Sequence, residues 1–168
     1  MALEYQGTSV LGLNRHDVPL LQGTDRTKAQ SGAYAILEDP AAQLTLVSTG
    51  SEVHLTVEAA QILIQSGIAT RVVSMPSMRR FEEQAVEYIN SVLPWDRRPI
   101  VSVEAHSTHG WARWSTASIG QQDFGTCVQA AAVYEHFGFT GPQIANRVKA
   151  YLDLLSYDDA HSVPWRPI

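Results

Sequence analysis

Two rhythms of apolar residues alternate along this chain. Short apolar runs recur, each closed by turn residues, and the stretches between them repeat apolar positions every three to four residues. Gly32 to Leu37 reads as a strand, ended by Glu38-Asp39-Pro40. Leu44 to Ser48 is a second strand, nearly all apolar, as expected of a strand covered on both faces. Arg71 to Met75 is a third, stopped by Pro76-Ser77, and Ile100 to Val103 a fourth. A fifth runs from Ser118 towards Phe124, and a short one from Ser9 to Asn14 precedes them all. Helical spacing of Val53, Val57, Ala60, Ile62, Leu63 and Ile64 predicts a helix from Glu52 to Gln65, with Gly67 where a C-cap belongs. Further helices are expected at Phe81–Tyr88, around Gly110–Trp114, at Ala130–Phe137 and at Pro142–Leu155. Strands alternating with helices imply an α/β fold whose sheet is mostly parallel and covered on both faces.

Gln22 to Ser31 is polar and holds Gly23, Thr24 and Asp25, so the domain boundary falls there. The tail beyond Leu155 carries two prolines and is expected to wrap the surface or fray. A chain of 168 residues fits one domain with a short piece of another. A hydrophobic fraction of 45% against 17% charged residues is globular.

Charge narrows the partners. The net charge is −5, and no basic cluster exceeds Arg79-Arg80 or Arg97-Arg98, which argues against a nucleic-acid footprint. No apolar run approaches the ~20 residues that span a bilayer, so no membrane partner is expected. The single Cys127 has no internal disulfide partner, and the first residues show no basic start to a signal peptide. A reducing, cytoplasmic setting is the expectation.

Three groups of residues bear candidate chemistry. Thr49-Gly50-Ser51-Glu52 joins the second strand to its helix; Gly50 permits the tight turn, and Thr49 to Glu52 has capping-box spacing. Free helix N–H groups at a strand's carboxyl end attract small anions, so Thr49, Gly50 and Ser51 form a candidate anion-binding turn. A capped helix start is the commoner use of such a turn, because the further glycines of a dinucleotide or phosphate loop are missing. Glu104, His106 and His109 are metal-ligating types, but they follow a strand without a second ligand cluster, which fits hydrogen-bonded loop residues better. A Gly-x-Ser-x-Gly nucleophile elbow is absent, which excludes the usual hydrolase arrangement. Arg15, just after the first short strand, has the guanidinium fork that binds phosphate bidentately, although most arginines are simply solvated.

Several segments resemble the C-terminal region of the transketolase family. Leu13-Asn14-Arg15-His16-Asp17-Val18-Pro19 is similar to the family's Leu-Ser-Arg-Gln-Asn-Leu-Pro, with Asn14 and His16 departing from it. Gly32-Ala33-Tyr34 resembles Gly-Gly-Tyr, Thr49 to Val53 matches Thr-Gly-Ser-Glu-Val, and Val72 to Ser77 matches Val-Val-Ser-Met-Pro-Ser. Phe81 with Gln84, Ser91-Val92-Leu93-Pro94, Val103-Glu104-Ala105, Phe124-Gly125 and Phe137-Gly138-Phe139-Thr140 follow in the family's order. Each motif is weak alone; their collinearity from Leu13 to Leu155 is what identifies the resemblance.

The resemblance implies a three-layer α/β/α domain with a five-stranded sheet, the first strand antiparallel to the rest. It implies residues 1–25 as the end of a preceding pyrimidine-binding domain and linker, 26–156 as the C-terminal domain, and 157–168 as a tail. The family moves a two-carbon ketol unit between sugar phosphates as a homodimer, using thiamine diphosphate with Mg²⁺ or Ca²⁺. Its cofactor motif and catalytic histidines lie upstream of the matched region, so this chain alone is expected to bind no cofactor or metal and to catalyse little or nothing. Arg15 takes the place of the arginine that binds the substrate phosphate. Expected partners are the remainder of such a chain, its dimer mate and a sugar phosphate. A fragment of the related dihydroxyacetone synthase, an interaction module docking on a thiamine-dependent partner chain, and a regulatory anion-binding domain using Thr49-Gly50-Ser51 are the alternatives.

Overall fold

The computed structural model describes residues 2–3, 5–15, 17–127, 129–155 and 159–168. Glu4, His16 of the Arg15 motif, and the 156–158 stretch at the tail's start lie outside the described residues. The elements are β1 (Tyr34–Leu37), β2 (Leu44–Ser48), α1 (Glu52–Gln65), β3 (Thr70–Ser74), α2 (Met78–Glu82), α3 (Val86–Val92), β4 (Ile100–Glu104), β5 (Ala117–Gly120), α4 (Ala130–His136), α5 (Gly141–Leu155) and β6 (Arg166–Pro167).

The strands form one sheet in the order β1-β3-β2-β4-β5-β6. Only β1 runs antiparallel to its neighbour, with Tyr34 opposite Ser74. β2 lies parallel between β3 and β4, in a register that places Leu46 against Val72 on one side and Val101 on the other. All five residues of β2 are buried, as its apolar run predicts. The expected five-strand core is present, and β6 extends it: Ala117 pairs with Arg166 and Ser118 with Pro167.

Alternate strand residues feed two cores, which makes the three layers. Leu44, Leu46, Val72, Val101, Val103 and Ile119 meet Val53, Ala60 and Leu63 of α1 and Ile144, Val148 and Tyr151 of α5. On the other face Val47, Val73 and Ile100 meet Phe81, Val92, Leu93, Trp111 and Trp114. Helix α1 buries Val53, Thr56, Ala60 and Leu63, the three- and four-residue spacing of one helical face.

Two expectations are corrected, and a third is narrowed. Ser9 to Asn14 is no strand; it pairs with no strand among the described residues and forms an exposed arm. Phe81 to Tyr88 is not one helix. Ser77 caps α2 by accepting from the Arg80 N–H at 3.3 Å, and Ala85, extended at ψ 145°, breaks the chain before α3. Of the two outcomes expected for the tail, it wraps the surface from 159 onward. His161 Nε2 lies 2.9 Å from the Arg98 carbonyl, Trp165 Nε1 donates to Ser118 Oγ at 3.2 Å, and Ile168 N–H donates to the Ser118 carbonyl at 2.9 Å. Arg147 also donates to the Ile168 carbonyl. The tail thus straps the edge that β5 would otherwise expose.

Candidate functional site

β2 sends its connection, α1, to one face of the sheet, whereas the connections after β3 and β4 lie on the other. Divergent connections open a crevice beyond the strand's carboxyl end, the usual ligand position in such sheets. Thr49, Gly50 and Ser51 sit there. Gly50 adopts φ 57°, the left-handed conformation that turns the chain into α1.

The capping box does not form. Ser51 is the N-cap but makes no side-chain cap; its Oγ donates instead to Glu52 Oε1 at 2.9 Å. Glu52 is buried, and Tyr134 of α4 donates its hydroxyl to the same oxygen. A carboxylate in the first turn complements the positive end of α1. Burial, and secondarily the hydrogen bond to Glu52, pushes the Tyr134 phenol above its ordinary pKa. His54 Nδ1 lies 2.6 Å from the Ser51 carbonyl.

The arm completes this site. Asn14, Asp17 and Val18 join Ser51, His54, Leu55, Tyr134 and Phe139 around a cavity of about 280 Å³. Arg15 is exposed between Asn14 and Asp17, and forms no ion pair among the described residues. Upstream, Tyr5, Val10 and Leu11 meet Pro76 and Ser77, beyond β3, around a second cavity of about 230 Å³. The structure therefore brings the Arg15 segment and the Thr49-Gly50-Ser51 turn to one end of the sheet. The sequence pattern did not mark His54 and Tyr134, because each sits within a helical stretch without a motif of its own.

Glu104, His106 and His109 do not converge. Glu104 accepts from Trp111 Nε1, and both histidines are exposed. Among the described residues no three His, Cys, Asp or Glu side chains gather as a metal site. No helix of the described residues is long and apolar enough to cross a membrane. Cys127 is a free, exposed thiol.

Residues 32–140 match the sequence profile of the transketolase-like C-terminal domain. The chain belongs to the transketolase family. The transketolase of Kluyveromyces lactis is 41% identical over 141 residues, which cover 84% of this chain and 21% of that protein. The dihydroxyacetone synthase of Candida boidinii is 34% identical over 152 residues, covering 90% of this chain and 22% of that protein. A solved transketolase from Pichia stipitis superposes with a TM-score of 0.83 at 37% identity, covering 86% of this chain and 21% of that one. The chain thus spans about a fifth of the length of these transketolase relatives. The match to the profile begins just before β1, so the Arg15 arm precedes it.

Proposed function

We propose that this chain is the C-terminal domain, with the preceding arm, of an enzyme that transfers a two-carbon ketol unit between sugar phosphates. The observation that carries the reading is the profile match together with the exposed Arg15 in its transketolase-like context. The Pichia stipitis transketolase has been solved in complex with sedoheptulose 7-phosphate and with fructose 6-phosphate, which supports sugar phosphates as the substrate class. In this reading residues 1–25 end the preceding domain, 26–156 fold as the C-terminal domain, and 157–168 form the strap. The enzyme acts as a cytoplasmic homodimer, and dihydroxyacetone synthase is the alternative parent.

Thiamine diphosphate with a divalent cation would supply the carbanion chemistry in the complete enzyme. Among the described residues no three His, Cys, Asp or Glu side chains gather as a site for that cation. What this chain supplies is a cation for the substrate: Arg15 accepts the phosphate in its guanidinium fork. Thr49, Gly50 and Ser51 serve the fold here. They turn the chain into α1 and hold Glu52, whose carboxylate already faces the Ser51 hydroxyl.

Arg15→Ala in the full-length enzyme should raise KM for phosphorylated substrates, with a loss on the order of 1–3 kcal/mol for a charged hydrogen bond. Steady-state kinetics with a phosphorylated and an unphosphorylated aldehyde acceptor test this. An unchanged KM for the sugar phosphate would sink the assignment.

A further inference from the structure

The chain's own arm walls one side of the crevice beside β2, and we propose that the cavity beneath Asn14, Asp17 and Val18 is a seat that positions Arg15. Its consequence for catalysis rests on reading Arg15 as a phosphate ligand; the seat itself does not.

The arm is tied down on the C-terminal side of Arg15. Downstream, Leu21 packs against the main core, the Thr24 N–H donates to the Leu21 carbonyl at 3.2 Å, and Asp25 Oδ1 accepts from the Thr27 and Lys28 N–H groups at 2.8 and 3.1 Å. Upstream, Val10 and Leu11 line a second cavity with Pro76 and Ser77. Along the arm the apolar side chains are not equally exposed. Val10, Leu11, Leu13 and Leu20 are 89, 70, 87 and 90% exposed, whereas Val18, which lines the cavity with Leu55, Ala131 and Phe139, is 47% exposed. Asn14 and Asp17, flanking Arg15, line the same cavity.

The chemistry of the walls favours a seat over a small-molecule site. A ligand pocket needs convergent polar groups that are free to bind. On the domain side of this cavity they are engaged. Ser51 Oγ and the Tyr134 hydroxyl both serve Glu52, Thr140 Oγ1 donates to Gln143 Oε1 at 2.7 Å, and His54 Nδ1 is held at the Ser51 carbonyl. Most of the rest is apolar wall, which suits Val18. The kinetic consequence follows from geometry: displacing a group by about 1 Å costs on the order of a hundredfold when that group orients substrate.

Ala131 gives a test that spares the fold, since it is exposed on α4 and lies on the same cavity as Asp17. In this chain, methyl–methyl nuclear Overhauser contacts between Val18 and Leu55 should be present. Ala131→Asp places a carboxylate near Asp17 and should abolish them; Ala131→Lys attracts Asp17 and should keep them. In the full-length enzyme Ala131→Asp should raise KM for a phosphorylated acceptor about tenfold, leaving kcat and KM for an unphosphorylated acceptor unchanged. Absence of the Val18–Leu55 contact in the unsubstituted chain, or its survival in Ala131→Asp, overturns the seat. If Ala131→Asp abolishes the contact yet leaves KM unchanged, while Arg15→Ala raises it, the positioning role is overturned. If Arg15→Ala itself has no effect, the phosphate reading fails, and the contact data still decide the seat.

Discussion

Gly32 precedes β1 at φ 88°, a conformation that L side chains rarely adopt. A Cβ built there would lie 2.3 Å from the Phe81 nitrogen, 2.5 Å from the Ser77 carbonyl oxygen and 2.8 Å from the Arg80 carbonyl carbon. All three are backbone atoms of α2 and its N-cap, so no side chain is available to swing aside. The same backbone is bonded to Gly32, whose carbonyl accepts from the Ser77 N–H at 3.0 Å. Gly32→Ala therefore adds two costs. Left-handed backbone at a non-glycine residue costs about 1–2 kcal/mol, and forcing packed backbone apart costs about 1–3 kcal/mol, as overpacking does. The sum, about 2–5 kcal/mol, is a large share of the 5–15 kcal/mol typical of a domain. Gly50→Ala is the control: its φ is 57°, but nothing lies within 4 Å of the added atom. It should lose only the first cost, about 1–2 kcal/mol. Urea unfolding of the two variants, followed by tryptophan fluorescence, separates the terms. If Gly32→Ala loses no more than Gly50→Ala, the close approach of α2 to the β1 entrance is wrong.

Two further perturbations probe the outer layers. Burial raises the pKa of both Tyr134 and Tyr151, with the Glu52 hydrogen bond adding to the first and the Thr116 hydroxyl and the Arg166 charge partly offsetting the second. A phenol whose pKa is higher in the fold lets the unfolded chain lose its proton first, so its stability is present below pH ~10 and falls as pH rises through that value. Tyr134→Phe and Tyr151→Phe should each flatten the alkaline fall in urea midpoint; slopes identical to the unsubstituted chain would contradict the burial of these rings. Trp165→Ala removes the hydrogen bond to Ser118 and a half-buried ring, a loss of about 2 kcal/mol. It should also release the strap to limited proteolysis, and unchanged cleavage between Asp159 and Ile168 would show that the indole does not hold it.

The elements that the residue pattern placed correctly are those whose signal is local. β2 is an uninterrupted apolar run, and α1 spans Glu52–Gln65 as its periodicity and the Thr-Gly-Ser turn indicate. Where pattern reading failed, tertiary contacts decide. Phe81 to Tyr88 has helical periodicity throughout, yet Ala85 is extended and two short helices result. β6 contains Pro167 and has no strand signal; it pairs because the strap carries it to the exposed edge of β5, where proline is tolerated. At the site, Arg15 and the Thr49-Gly50-Ser51 turn were legible as motifs. Tyr134 was not, because its hydrogen bond to Glu52 depends on α4 reaching the start of α1, and His54, beside the Ser51 carbonyl one turn back, carries no motif of its own.

The same geometry explains why a domain of this shape need not bind a ligand of its own. A sheet with diverging connections has a crevice beside β2 whatever its sequence. Whether a small anion enters depends on what already neutralises the helix end. Here Glu52 brings a buried carboxylate to the first turn of α1, and Ser51 and Tyr134 spend their hydroxyls on it. The turn that would make the pole attractive thus comes with a residue that satisfies it. The cavity's apolar walls then favour a chain segment over a polar ligand, and the arm that carries Arg15 is the segment the structure places there.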